Sequence, residues 1–195
     1  EHLISRIDNL CISHCLTLEI RYEGGNASLM RSWLGNKFTY HPQPPGDLGQ
    51  RMRIVLDEAF REGAEKAIII GTDIPGISLE ILGNALDQLN RHDLVFGPAR
   101  DGGYYLIGVK NGCWLKVNPI LFENIAWGTD KVLSQTLSSA DKMGLSHRQL
   151  EVLDDVDRPE DLDVWSRESE KAARCKDKKR ISVIIILNLA IPAII

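Results

Sequence analysis

The sequence predicts an α/β fold built on a largely parallel sheet. Strand-like segments alternate with amphipathic helical segments along most of the chain, the signature of helices packed on a central sheet. One run, KAIIIG at 66–71, is continuously apolar and ends in glycine, as a strand covered on both faces requires. The 195 residues are 44% hydrophobic and 26% charged, the balance of a soluble globular chain about one domain long. Disorder, collagen-like repeats and disulfide-scaffold miniproteins are excluded.

The elements follow in order. LTLEIRY at 16–22 alternates as a strand does. Residues 47–62 place Leu48, Met52, Val55, Ala59 and Phe60 at helical spacing, and the KAIIIG strand follows. Residues 78–90 are helical again, with Ile81, Leu82, Ala85, Leu86 and Leu89 on one face and Ser78 as the N-cap. DLVF at 93–96 and YYLIGV at 104–109 are strands separated by GPARDGG. Residues 129–143 form an amphipathic helix with Thr129 as its cap, and 149–153 a final strand. In DDVDRPEDL, Asp157 and Glu160 stand at capping-box spacing with Pro159 in the first turn of a further helix.

Charge and cysteine content limit function. With 23 Lys and Arg against 27 Asp and Glu, the net charge of −4 lacks the basic footprint of a nucleic-acid binder. A local nucleotide site remains compatible with it, because a helix N-terminus or a metal does not depend on net charge. Cys11, Cys15, Cys113 and Cys175 form no C-x-x-C pair, and a zinc half-site from Cys11, His14 and Cys15 is disfavoured against reduced thiols. No secretory signal peptide opens the chain, which points to the cytoplasm. The first residue is Glu, so the chain is expected to start inside a longer reading frame or after processing. There is no G-x-S-x-G, P-loop or G-x-G-x-x-G pattern, which removes serine hydrolase, P-loop kinase and Rossmann dehydrogenase readings.

Ligands of open α/β sheets bind beyond the carboxyl ends of the strands. Gly71-Thr72-Asp73 stands there, after the KAIII run. Asp73 could hold a divalent cation that also bridges substrate phosphates, or simply cap the turn that Pro75 and Gly76 shape. In Arg100-Asp101-Gly102-Gly103-Tyr104 the glycines suit a tight hairpin turn and equally let backbone approach a ligand. Arg100 could pair a phosphate or hydroxyl, or make a surface ion pair. Thr129 and Asp130 suit a helix start with or without a ligand. Asp155, two residues before Asp157 on an extended segment, is freer to reach a metal.

In order and spacing, PPGDLGQRM (44–52), IIIGTDIPGIS (68–78), HDLVFGPARDGGYYLIGVK (92–110), IAWGTDKVLSQT (125–136) and LDDVDRPEDL (153–162) resemble the radical-SAM/selenodomain-associated transferase family. This group is also described as arsenosugar-biosynthesis glycosyltransferase-like and lies within the nucleotide-diphospho-sugar transferase superfamily. The resemblance runs from residue 1 to about Trp165. It implies a Rossmann-like three-layer α/β/α fold of glycosyltransferase-A type with a mostly parallel sheet. It implies Asp73 and Asp155 as ligands of magnesium or manganese, and Asp73 and Asp101 as catalytic residues. Thr72, Pro75, Arg100, Gly102, Gly103, Tyr104, Thr129 and Asp130 would line the substrate cleft. The donor would be a nucleotide sugar or a nucleoside triphosphate and the acceptor a small molecule. Glycosyl transfer is the first expectation, nucleotidylyl transfer to a phosphorylated small molecule the second, and a non-catalytic fragment of a fused transferase the third.

Two departures from the family pattern shape the domain expectation. Relatives open with a strand and a basic, Gly- and Pro-containing loop that cradles phosphates. Neither precedes the helix-like residues 1–10, so a central strand is expected to be missing. At the other end, KKRISVIIILN resembles the opening strand of a family-2 glycosyltransferase. The expected organisation is a transferase-like domain at 1–168, a basic linker at 169–180, and an apolar tail at 181–195 that begins a second, truncated glycosyltransferase domain. At fifteen residues, interrupted by Pro192, the tail falls short of the ~20 a membrane-spanning helix needs.

Overall fold

In a computed structural model, residues 16–71, 76–118, 120–153 and 181–187 are described. They form a seven-stranded sheet with helices on both faces, so the predicted α/β class and three-layer arrangement are observed. The strands are β1 (Leu16–Tyr22), β2 (Thr39–Pro42), β3 (Lys66–Gly71), β4 (Leu94–Pro98), β5 (Tyr104–Lys110), β6 (His147–Gln149) and β7 (Ile181–Leu187). Their order across the sheet is β2-β1-β7-β3-β5-β4-β6. β5 runs antiparallel to β3 and β4, and the other described pairings are parallel.

The helices are α1 (Ala27–Leu34), α2 (Leu48–Arg61), α3 (Leu79–Arg91), α4 (Asn111–Val117) and α5 (Val132–Lys142). Alternation along each strand divides the core. Ile68 and Ile70 of β3 join Leu18, Ile20, Met30, Leu86 and Leu89 under α1 and α3. Ala67 and Ile69 face the other way, with Val55, Phe60, Phe96, Ile107, Trp114 and Ile184, against α2, α4 and α5. The helix starts follow local chemistry. Asp47 and Gln50 form a reciprocal capping box at α2, and the Ser78 hydroxyl accepts from Ile81 N (3.2 Å) at α3.

Three sequence expectations change. α5 begins at Val132, three residues after the expected cap. The Thr129 hydroxyl instead donates to the Ala126 carbonyl (2.7 Å) and accepts from Lys131 N (3.3 Å), closing the preceding turn. The last short strand is 147–149 rather than 149–153, because Leu94, Val95 and Phe96 of β4 pair with His147, Arg148 and Gln149. The largest change concerns the tail. Residues 181–187 form β7 in the middle of the sheet, filling the central position expected to be missing, and Ile184 is fully buried. An apolar β-branched run gains most where both faces are covered and both edges are paired, which accounts for its place. The expected boundary at 168, the linker at 169–180, and the cap residues Asp157 and Glu160 lie outside the described residues. Among the described residues no helix is long and apolar enough to cross a membrane.

Candidate functional site

The carboxyl ends of the parallel strands share one edge of the sheet, and the β4–β5 hairpin opens onto the same edge. Within that hairpin the Gly102 amide donates to the Ala99 carbonyl (3.2 Å) and the Ala99 amide to the Gly103 carbonyl (3.1 Å). Asp101 is exposed, and its Oδ1 accepts from Gly103 N (2.8 Å), which fixes the carboxylate against its own turn. The hairpin chemistry read from the glycines is therefore present, and the loop is also docked on two other segments.

The first is the turn before α5. Gly102 has φ 89°, and a methyl group there would lie 2.3 Å from the Asp130 carbonyl oxygen. Its own carbonyl accepts from Leu133 N (2.9 Å). Glycine at 102 is thus required twice, by the backbone conformation and by the close approach. The turn itself is held by Gln135 Oε1, which accepts from Ala126 N (2.7 Å), and by the Trp127 indole, which lies where a side chain on Gly49 would stand. The second segment is Leu153, whose amide donates to the Pro98 carbonyl (3.1 Å) while its own carbonyl accepts from Arg100 N (3.1 Å). Leu153 also meets the chain returning from β3, because a methyl group on Gly76 would contact its side chain at 3.6 Å.

The structure thus brings Arg100, Asp101, Gly102 and Gly103 together with Thr129 and Asp130, beside Leu153 and Gly76. Thr72, Asp73, Pro75 and Asp155 lie outside the described residues. Gly76 and Leu153, the described residues beside the two acidic segments, lie near each other, since a methyl group on Gly76 would come to 3.6 Å from the Leu153 side chain. Tyr104 is placed differently from the rest. It packs edge-on to Phe96 at 5.6 Å, and its hydroxyl lies 4.0 Å from Met52 Sδ, toward the helical layer. Among the described residues no group of three or more His, Cys, Asp or Glu side chains is placed to hold a metal ion.

Two framework residues went unmarked in the sequence. The Tyr105 ring lies over Gly97, where a methyl group would approach it to 2.4 Å, and its hydroxyl donates to the Glu151 carbonyl (3.2 Å). A glycine inside a strand was the available signal for that close packing. Arg51 ties together the β1–α1 and β2–α2 connections at the same edge of the sheet. It donates to the Gly46 carbonyl (2.9 Å), to Gln43 Oε1 (2.9 Å) and to Glu23 Oε2 (3.0 Å). Burial pushes the hydroxyl pKa values of Tyr104 and Tyr105 well above the ordinary phenol value. A hydrogen bond with Thr136 opposes the rise at Tyr104, and the Glu151 charge adds to it at Tyr105. Both stay protonated at neutral pH, so neither serves as a base.

A family profile described as "Uncharacterized protein conserved in bacteria (DUF2064)" matches residues 7–129. This chain is a DUF2064 protein. Its fold is similar to a crystal structure of a candidate nucleotide-diphospho-sugar transferase from Desulfovibrio desulfuricans G20. That similarity has a TM-score of 0.70 and 32% sequence identity, and it covers 85% of this chain and 74% of the other. No curated protein matches the DUF2064 chain. The matched span takes in the hairpin loop and Thr129, and it ends one residue before Asp130.

Proposed function

We propose that this protein is a transferase that uses a nucleotide-activated donor, with glycosyl transfer from a nucleotide sugar to a small-molecule acceptor as its reaction. One observation carries the reading. The glycine hairpin 99–103 is held by hydrogen bonds to Leu133 and Leu153 and packs against the turn at Asp130, at the carboxyl edge of the parallel strands, where this fold type takes ligands. The structural similarity to a protein described as a nucleotide-diphospho-sugar transferase supports the donor class. The narrower resemblance of the sequence blocks to the selenodomain-associated transferases favours glycosyl over nucleotidylyl transfer.

In this scheme Asp101, oriented by the Gly103 amide, receives the proton of the acceptor hydroxyl or orients that hydroxyl for attack. Arg100 and the backbone of Gly102 and Gly103 line the donor side, and Thr129 and Asp130 shape the opposite wall. The residues suit a hard divalent cation. Asp73 and Asp155 offer carboxylate oxygens, and magnesium needs only one or two carboxylates when substrate oxygens complete its shell. When bound, the cation would neutralise charge on the departing diphosphate.

The test is thermal stabilisation of the full chain by a panel of nucleotides and nucleotide sugars, with and without magnesium or manganese. A metal-dependent rise in melting temperature that disappears in Asp73→Asn supports the reading. A cooperative melt that no nucleotide shifts overturns it in favour of a non-catalytic fragment. Product analysis then separates the two chemistries, because free nucleoside diphosphate marks glycosyl transfer and inorganic pyrophosphate marks nucleotidylyl transfer.

A further inference from the structure

β1 and β3 lie on either side of β7 and do not pair with each other. β7 pairs with β1 from Leu16↔Ile181 to Tyr22↔Leu187, and with β3 from Lys66↔Ile181 to Gly71↔Ile186, in parallel throughout. Without β7 the two neighbours would face each other across two strand spacings, about 9–10 Å, too far for direct hydrogen bonding. Both would then present rows of unpaired backbone N–H and C=O groups in the middle of the sheet, where each orphaned group is costly. The floor of the gap is apolar, and the fully buried Ile184 belongs to the core that α2, α4 and α5 cover. The gap is therefore a groove with two polar rims and an apolar floor. Main-chain bonding supplies affinity for an extended segment there, and the apolar floor supplies selectivity, the logic of strand addition. The pairing uses residues 181–187 and makes no demand on how they connect to the rest of the chain.

We propose that the groove between β1 and β3 is a strand-acceptor site. It is filled by the chain's own Ile181–Leu187 and can exchange that strand for a free peptide of the same sequence. The partner it fits is a parallel, proline-free, apolar and β-branched segment about seven residues long. This proposal is independent of the transferase reading, and its test uses no nucleotide.

The full chain, carrying a protease recognition site in place of residues 163–168, is folded, purified and then cut; a second version carries the site at 171–176 in case the first does not fold. The expected result is that the cut protein elutes as one monomeric species with the C-terminal piece retained and the circular dichroism unchanged. A fluorescent peptide of residues 178–190 then enters stoichiometrically in urea below the unfolding midpoint, and the same peptide with Ile184→Asp does not. Release of the C-terminal piece from a remainder that still melts cooperatively overturns the proposal, as does precipitation on cutting. Retention of the piece with no uptake of the peptide shows that the strand is not exchangeable and overturns it too. Dimeric elution of the uncut chain, with strands shared between copies, overturns the choice of occupant.

Discussion

The two halves of the sheet are closed in different ways. From β3 through β5 and β4 to β6, every strand comes from the continuous stretch 66–153, and β4 and β5 meet through a hairpin. In the other half, β2 and β1 reach β3 only through β7, which comes from the far end of the described chain. The faces differ as well. On the α2 side β3 presents Ala67 and Ile69 to an apolar core, whereas β1 places a buried Arg21 there, paired with Glu19 and with Glu58 of α2 (2.6 Å to Glu58). The half that carries the candidate site is thus drawn from one continuous stretch of chain. The half beside it depends on a strand from far along the chain and holds a polar cluster that burial alone would not favour.

Substitutions aimed at each half sharpen that contrast. The largest effect is expected from Ile184→Ala, which removes fully buried side-chain volume from the joining strand and should cost about 2–5 kcal/mol. Urea denaturation followed by circular dichroism measures it. A loss within experimental error would show that β7 does not hold the two halves together. Gly102→Ala comes next, at about 1–3 kcal/mol, because it combines a positive φ with a backbone clash against Asp130. Its damage should stay local, with a small drop in melting temperature and complete loss of any nucleotide-dependent shift. Asp47→Ala removes the capping box of α2 and should cost about 1 kcal/mol, read from the same urea curves.

The smallest effect is a pH dependence at the β4–β6 edge. Burial pushes the Asp93 carboxyl up, but hydrogen bonds from the Ser146 hydroxyl and amide, with Lys110 and Lys116 nearby, outweigh it and hold its pKa below that of an ordinary aspartate. A depressed carboxylate stabilises the folded state above its unfolded pKa, and that contribution is lost as pH falls through the folded value. Melting temperatures of the parent and of Asp93→Asn should therefore differ at neutral pH and converge below about pH 3.8. A constant difference across that range would remove Asp93 from the account.

Several elements on both sides of β7 were legible in the sequence. The bounds of β1 and β3 follow from their alternating and continuous apolar patterns, and the capping residue Ser78 marks the start of α3. α1 and β2 were not read. α1 buries only Met30 among its eight residues, and β2 is a four-residue edge strand that buries only Tyr40, so neither leaves a strong periodic signal. The place of β7 was unreadable for another reason. A pattern of apolar residues identifies a strand but says nothing about its neighbours, and the order β1-β7-β3 is a property of long-range pairing. At the site, the turn-forming glycines of the hairpin were plain. Its docking on Asp130 and Leu153 depends on loops that meet only after folding, with Gly102 as the one local hint.

The position of β7 also has a consequence in time. A chain emerging from the ribosome exposes the edges of β1 and β3 long before Ile181–Leu187 is made, and strands left open in this way are prone to wrong partners. Completion of the sheet waits until Ile181–Leu187 has left the exit tunnel, and the sequence distance from β3 that must be closed makes that step slow. During synthesis, therefore, two strands that end up in the middle of the sheet coexist with unpaired edges until the strand that joins them has been made.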